Sequence, residues 1–116
     1  MNWIESYKSK LTTADEAVKC IKSNDTVFVH PGCAVPELLV DAMVRRKDEL
    51  ENVTVCHILT IGKAPYTEPG MEKHFRHKAF FIGSNVRQSV GEGRSDFVPI
   101  FLSEVPLLFY KGIVPI

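Results

Sequence analysis

The chain is poor in cysteine and has no charge of either sign to spare. Its three cysteines, Cys20, Cys33 and Cys56, are an odd number with no C-x-x-C spacing. That excludes a disulfide framework and points to a reducing compartment, most simply the cytoplasm. Fourteen basic residues balance fourteen acidic ones, and the longest basic run is Arg45-Arg46-Lys47. Wholesale binding to nucleic-acid phosphates is therefore excluded. No uninterrupted apolar stretch approaches the ~20 residues of a membrane helix. The start, Met1-Asn2-Trp3-Ile4-Glu5, has neither the basic residues nor the apolar core of a secretory leader. Internal repeats and low-complexity linkers are also missing.

What is present is globular. Hydrophobic residues make up 45% and charged ones 24%, which excludes a disordered or collagen-like chain. At 116 residues the sequence is one small domain or part of a larger one. A chain of this size buries roughly two-thirds of its unfolded surface, enough for a core without staples.

Residue spacing predicts helices alternating with strands. Trp3, Ile4 and Tyr7 give an amphipathic helix over 3–10. Thr13-Ala14-Asp15-Glu16 is a capping box, Thr13 capping and Glu16 reaching back, before a helix that turns Ala17, Val18 and Ile21 inward. Residues 26–30 are expected as a buried strand, broken by Pro31-Gly32. A helix from Pro36 carries Leu38, Leu39, Ala42 and Met43 toward the core. Strands follow over 53–59, 79–82 and 98–102, with Ser84 capping a helix through Val90 and Ser103-Glu104 capping one through Tyr110. The result is an α/β domain, a mostly parallel sheet flanked by helices. Ligands of such sheets lie beyond the strand C-terminal ends, here the loops 30–36, 60–70 and 83–95. The apolar ending, Gly112-Ile113-Val114-Pro115-Ile116, looks like a strand about to begin, so residues 1–116 are expected to be a cut piece that neither folds nor works alone.

Four features carry candidate chemistry. The turn His30-Pro31-Gly32-Cys33-Ala34-Val35-Pro36 joins strand to helix through small residues, offering N–H groups to an anion or oxyanion, or simply making a tight turn. A helix start lowers a thiol pKa, which makes Cys33 a candidate nucleophile, but no partner base identifies itself and a small buried thiol is expected. His74 and His77 could share a metal, yet no third ligand stands at matching spacing, and an exposed solvated pair is expected. Arg94, between Gly93 and Asp96, suits a carboxylate or phosphate, or braces its loop through Asp96 or Glu104. Asn85, just after the third strand, either offers its amide at the ligand edge or serves as a helix cap.

Several segments together resemble a known family. They are Trp3…Tyr7…Lys10 with Thr13-Ala14-Asp15-Glu16-Ala17-Val18, the turn Gly32-Cys33-Ala34-x-Pro36-x-Leu38, and Met71-x-x-His74-Phe75-Arg76-His77. To these add Gly83-x-Asn85-x-Arg87 and the long run from Glu92-Gly93-Arg94-Ser95-Asp96-Phe97 to Ser103-Glu104-Val105-Pro106. The chain resembles the acetyl-CoA hydrolase/transferase family nearly end to end, and within it the 4-hydroxybutyrate CoA-transferase branch.

The resemblance implies that residues 1–116 are an incomplete N-terminal domain of a longer enzyme built from two related α/β halves of the CoA-transferase fold. Such an enzyme moves CoA between an acyl-CoA, acetyl or 4-hydroxybutyryl, and a small free carboxylate through a γ-glutamyl-CoA thioester. It implies a nucleophilic glutamate in the C-terminal half, so no catalytic residue is expected here and Glu37, Glu92 and Glu104 are not promoted to that role. It also implies CoA as substrate rather than a resident cofactor, no metal, and as partners the C-terminal half and further copies of the chain. On that division Gly32, Cys33 and Ala34 supply oxyanion donors, and Asn85 or Arg94 orients the carboxylate. The alternative is a non-catalytic ligand-sensing or assembly domain of the same fold type.

Overall fold

The computed structural model describes residues 2–116. Four strands, β1 (Thr26–Phe28), β2 (Val53–His57), β3 (Phe75–Ala79) and β4 (Ser95–Phe97), form one sheet in the order β1-β2-β3-β4, each pair parallel. The helices are α1 (Trp3–Lys10), α2 (Ala14–Ala17), α3 (Glu37–Arg45), α4 (Arg87–Gly91) and α5 (Val105–Tyr110). This is the α/β class that the alternation predicts.

β2 shows why the sheet needs cover on two sides. Val53, Val55 and His57 point to one face and Cys56 to the other, and all four are buried. On the first face lie Val40, Ala42 and Met43 of α3, with Val18, Tyr66 and Val86. On the second, Cys56 and Phe80 pack with Val105, and Phe28, Leu108 and Phe109 close around them. The three links β1→β2, β2→β3 and β3→β4 step in the same direction, so right-handed crossovers put α3, Tyr66 and α4 on a common face. α5 covers the opposite one, and its Phe109 ring meets Phe28 of β1 edge-to-face at 5.2 Å.

Local chemistry sets the boundaries. The Thr13 hydroxyl accepts from the Glu16 N–H at 3.2 Å, but Glu16 does not reach back; its carboxylate pairs with Lys19. Only half of the expected capping box forms, and α2 passes after one turn into a 3-10 turn over Val18–Cys20. Arg46 follows α3 and donates to the carbonyls of Val18 and Ile21, tying that turn to the end of α3.

Several expectations need correction. α1 buries none of its residues. α3 turns Val40 and Met43 inward, which at 100° per residue places Leu38 on the far side, 78% exposed, with Leu39 also exposed. β1 stops at Phe28, is half-buried as an edge strand, and only the following Val29 is fully buried. The third and fourth strands lie earlier than the apolar runs at 79–82 and 98–102. Those runs follow the paired segments; α5 packs against Phe80, Val98 and Ile100, while Phe81, Phe101 and Leu102 stay exposed. Neither Ser84 nor Ser103 caps a helix by its side chain: α4 starts after Val86 and α5 after Glu104, both without a side-chain cap.

Replacing Arg46 by Leu would leave two partly buried carbonyls without their donor. The expected loss is about 1–3 kcal/mol of stability in urea unfolding. Replacing its exposed partner Glu49, 66% accessible at the side chain, should cost well under about 1 kcal/mol.

Candidate functional site

The loops leaving β1, β2 and β3 converge at one edge of the sheet. Gly32 forms an isolated parallel bridge with Thr60, its N–H donating to the Leu59 carbonyl at 2.6 Å. Its φ is +67°, and a Cβ built there would touch nothing within 4 Å. Glycine is therefore required by backbone conformation and not by crowding. Cys33 and Ala34 follow as an exposed turn into α3. Among the described residues, their N–H groups donate to nothing in the chain. The turn thus offers two free donors, one fewer than the three expected, because the Gly32 N–H is spent on Leu59.

Thr60 joins the other loops to this turn. Its hydroxyl accepts from the Asn85 side-chain amide at 3.1 Å, and the same amide donates to the Gly62 carbonyl at 3.1 Å. Tyr66 is buried in the same loop as Thr60, and burial pushes its phenol up to about 12. Asn85 Oδ1 is buried without a partner. A Cβ on Gly83 would lie 2.8 Å from both that oxygen and Leu59 Cδ1, so a larger residue there would have to displace these side chains. Asn85 sits at the expected edge with its amide turned inward, holding loops together.

Beneath this edge a buried polar row crosses β2, β3 and β4. His57 and His77 face each other with 2.7 Å between their Nε2 atoms and ring centroids 4.5 Å apart. One Nε2 must carry the shared proton and the other accept it. Tyr66 packs against both rings, and beyond them the Ser95 hydroxyl donates to that of Ser89 at 2.9 Å. Burial is the main force holding both imidazoles neutral, His57 down to about 4 and His77 to about 3. The neighbouring His57 reinforces the effect for His77.

Arg94 lies elsewhere. It immediately precedes β4, and a parallel strand starts at the edge opposite the one where the loops after β1–β3 emerge. Its Nε and Nη2 both donate to Glu92 Oε2, at 2.8 and 2.6 Å, Nη1 donates to the Thr67 carbonyl, and Glu72 lies 3.8 Å away. The partners are Glu92 and Glu72 where Asp96 or Glu104 was expected; Asp96 is held in a two-pronged contact by Arg76. His77 is buried, correcting the expected exposed histidine pair, and His74 bonds the Leu50 carbonyl through Nδ1 at 2.9 Å. Cys33 is exposed where a buried thiol was expected. The buried thiol is Cys56, pushed up to about 11 by desolvation. Thr60 and Tyr66 escaped the sequence reading. Their one signal was position, in loops that follow parallel strands.

Across residues 1–116 the chain matches the model of the acetyl-CoA hydrolase/transferase N-terminal domain. The chain belongs to this family. It is 40% identical over 116 residues to the 4-hydroxybutyrate coenzyme A transferase of Clostridium kluyveri, covering all of this chain and 27% of that protein. To the succinyl-CoA:acetate/propanoyl-CoA:succinate CoA transferase of Fasciola hepatica it is 39% identical over 102 residues, 86% of this chain and 21% of that one. A solved 4-hydroxybutyrate CoA-transferase from Porphyromonas gingivalis superposes with a TM-score of 0.69 at 30% identity, covering 99% of this chain and 25% of that chain. The chain thus spans about a quarter of the length of the family members it matches.

Two outcomes follow from this geometry. Gly32→Ala forces an L-residue into the left-handed region and should cost about 1–2 kcal/mol without steric displacement, visible as a lower urea midpoint and an unchanged backbone in a crystal structure. For the histidines, the folded values lie below the ordinary 6.5. The unfolded rings therefore bind protons that the folded ones refuse, and stability is full above pH 6.5 and falls on acidification toward about 4. Urea midpoints measured from about pH 7 down to about pH 5 should decline in the parent protein. They should be nearly flat in a His57→Leu/His77→Leu variant.

Proposed function

We propose that this chain is the N-terminal part of a CoA-transferase that moves CoA between an acyl-CoA and a free small carboxylate. The acyl group is acetyl or 4-hydroxybutyryl, and the route passes through a glutamyl-CoA thioester whose glutamate lies outside residues 1–116. The observation that carries this reading is the exposed turn at Cys33 and Ala34, whose unspent N–H groups stand at the edge where a parallel sheet takes its ligands.

A carboxylate that attacks a thioester carbonyl drives negative charge onto the carbonyl oxygen. Two backbone donors held in fixed positions stabilise that charge and require no reorganisation during the step. The Cys33 and Ala34 N–H groups take this role, with Gly32 setting their direction through its left-handed turn. The Gly32 N–H is the hinge of the turn and not a donor to substrate. Asn85 braces the loops around the site. Arg94 braces the opposite edge through Glu92 and Glu72, and the incoming carboxylate is oriented by groups outside this segment. CoA enters as substrate and leaves as product, with no resident cofactor. The full-length protein is a cytoplasmic homo-oligomer.

The test is exchange. Full-length protein given 4-hydroxybutyryl-CoA or acetyl-CoA and labelled acetate should transfer CoA, and with acyl-CoA alone it should acquire a covalent CoA adduct that hydroxylamine removes. A folded full-length protein that shows neither would sink the reading.

A further inference from the structure

We infer that Thr60 is the positioning residue of this edge: it fixes the turn that presents the Cys33 and Ala34 N–H groups. The inference rests on the proposed oxyanion role of that turn and names the residue on which the turn depends. Thr60 is 3% exposed, so water cannot stand in for its hydroxyl. The loops that follow β1 and β3 both meet it in the loop that follows β2. Its backbone bridges Gly32 of the β1 loop, and its hydroxyl accepts a hydrogen bond from the Asn85 amide of the β3 loop.

The surroundings are fixed in turn. Tyr66, in the same loop as Thr60, packs against the paired rings of His57 and His77, which ties that loop to the core. Asn85 spends its amide on both the Thr60 hydroxyl and the Gly62 carbonyl, which orients its side chain without ambiguity. A hydroxyl has one proton and two lone pairs, so Thr60 can accept from the Asn85 amide. Valine has the same shape and neither capacity. Thr60→Val would leave the Asn85 amide short of a partner inside the protein. The backbone of residues 59–60 would then lose the side-chain tether that holds it against Gly32. Serine keeps the hydroxyl and loses only a methyl group.

The experiment compares Thr60→Val with Thr60→Ser in the full-length protein. In Thr60→Val, kcat for CoA transfer should fall at least about tenfold while KM for the acyl-CoA stays within about twofold, because the donors are displaced from the transition state and not from the bound substrate. Thr60→Ser should restore kcat to within about threefold of the parent. A second readout needs no turnover. The Gly32 amide, bonded to the Leu59 carbonyl, should exchange with deuterium at least about tenfold faster in Thr60→Val and at the parent rate in Thr60→Ser. Unchanged exchange at Gly32 in Thr60→Val overturns the inference, and so does faster exchange with unaltered kcat. If the parent protein transfers no CoA, the functional reading fails by itself and amide exchange still judges the clamp. Should Thr60→Val not fold, Asn85→Ala removes the same hydrogen bond from the more exposed side. Parent-like exchange and kcat in that variant would overturn the proposal equally.

Discussion

The structure depends on one constraint: β2 is buried on both faces from Val55 to His57. A central parallel strand can be dry on both sides only if something covers each side, and the chain provides that cover unequally. Val53, Val55 and His57 face α3 and Tyr66, whereas Cys56 faces α5. The pairing of β2 with β1 and β3 then fixes where the following loops emerge. The ladder continues beyond the formal strands through Val29 N–H to the Cys56 carbonyl, Phe80 N–H to the His57 carbonyl and Gly32 N–H to the Leu59 carbonyl. The candidate site is the end of this ladder, which explains why backbone donors are its main chemistry.

Burying His57 and His77 on the same face is the least expected use of that dry interior. A neutral imidazole pair sharing one proton makes a rigid polar contact without charge, but each Nδ1 is left without a partner. The structure carries that penalty next to Tyr66, in the loop that also holds Thr60. Rigidity at the edge is thus drawn from polar groups set within the core as well as from aliphatic packing.

The architecture and the place of the turn were legible in the sequence. The Pro31-Gly32 break after a β-branched run and Pro36 before a helix are local signals, and α3 starts at Glu37 as they imply. β3 was harder to read because its inward positions are Phe75, His77 and Ala79, with Arg76 and Lys78 between. That is a period-two pattern in which histidine stands where an aliphatic residue is usual. The apolar run that follows drew the expectation downstream, since hydropathy cannot separate a residue dried by sheet pairing from one dried by a covering helix. Arg94 was misplaced in space for a topological reason. Asn85 and Arg94 are nine positions apart, but α4 carries the chain across the sheet between them. Thr60 gave no signal because its importance comes from Gly32 and Asn85, both distant in sequence.

The contact between Phe28 and Phe109 has a consequence for the order in which the fold is made. β1 leaves a ribosome before the other strands of this sheet, yet the ring that covers one of its faces belongs to α5, the last helix in this segment. Closing that face joins positions far apart in the chain, and such contacts form slowly because a long loop must be ordered first. Until then Phe28 and Cys56 lie open to solvent beside an unpaired strand edge, a surface that invites wrong pairing or a chaperone. The side facing α3 has no such delay, since α3 directly follows β1. The two faces of the sheet therefore mature at different times, and nascent chains halted before α5 would display the apolar side that the finished domain conceals.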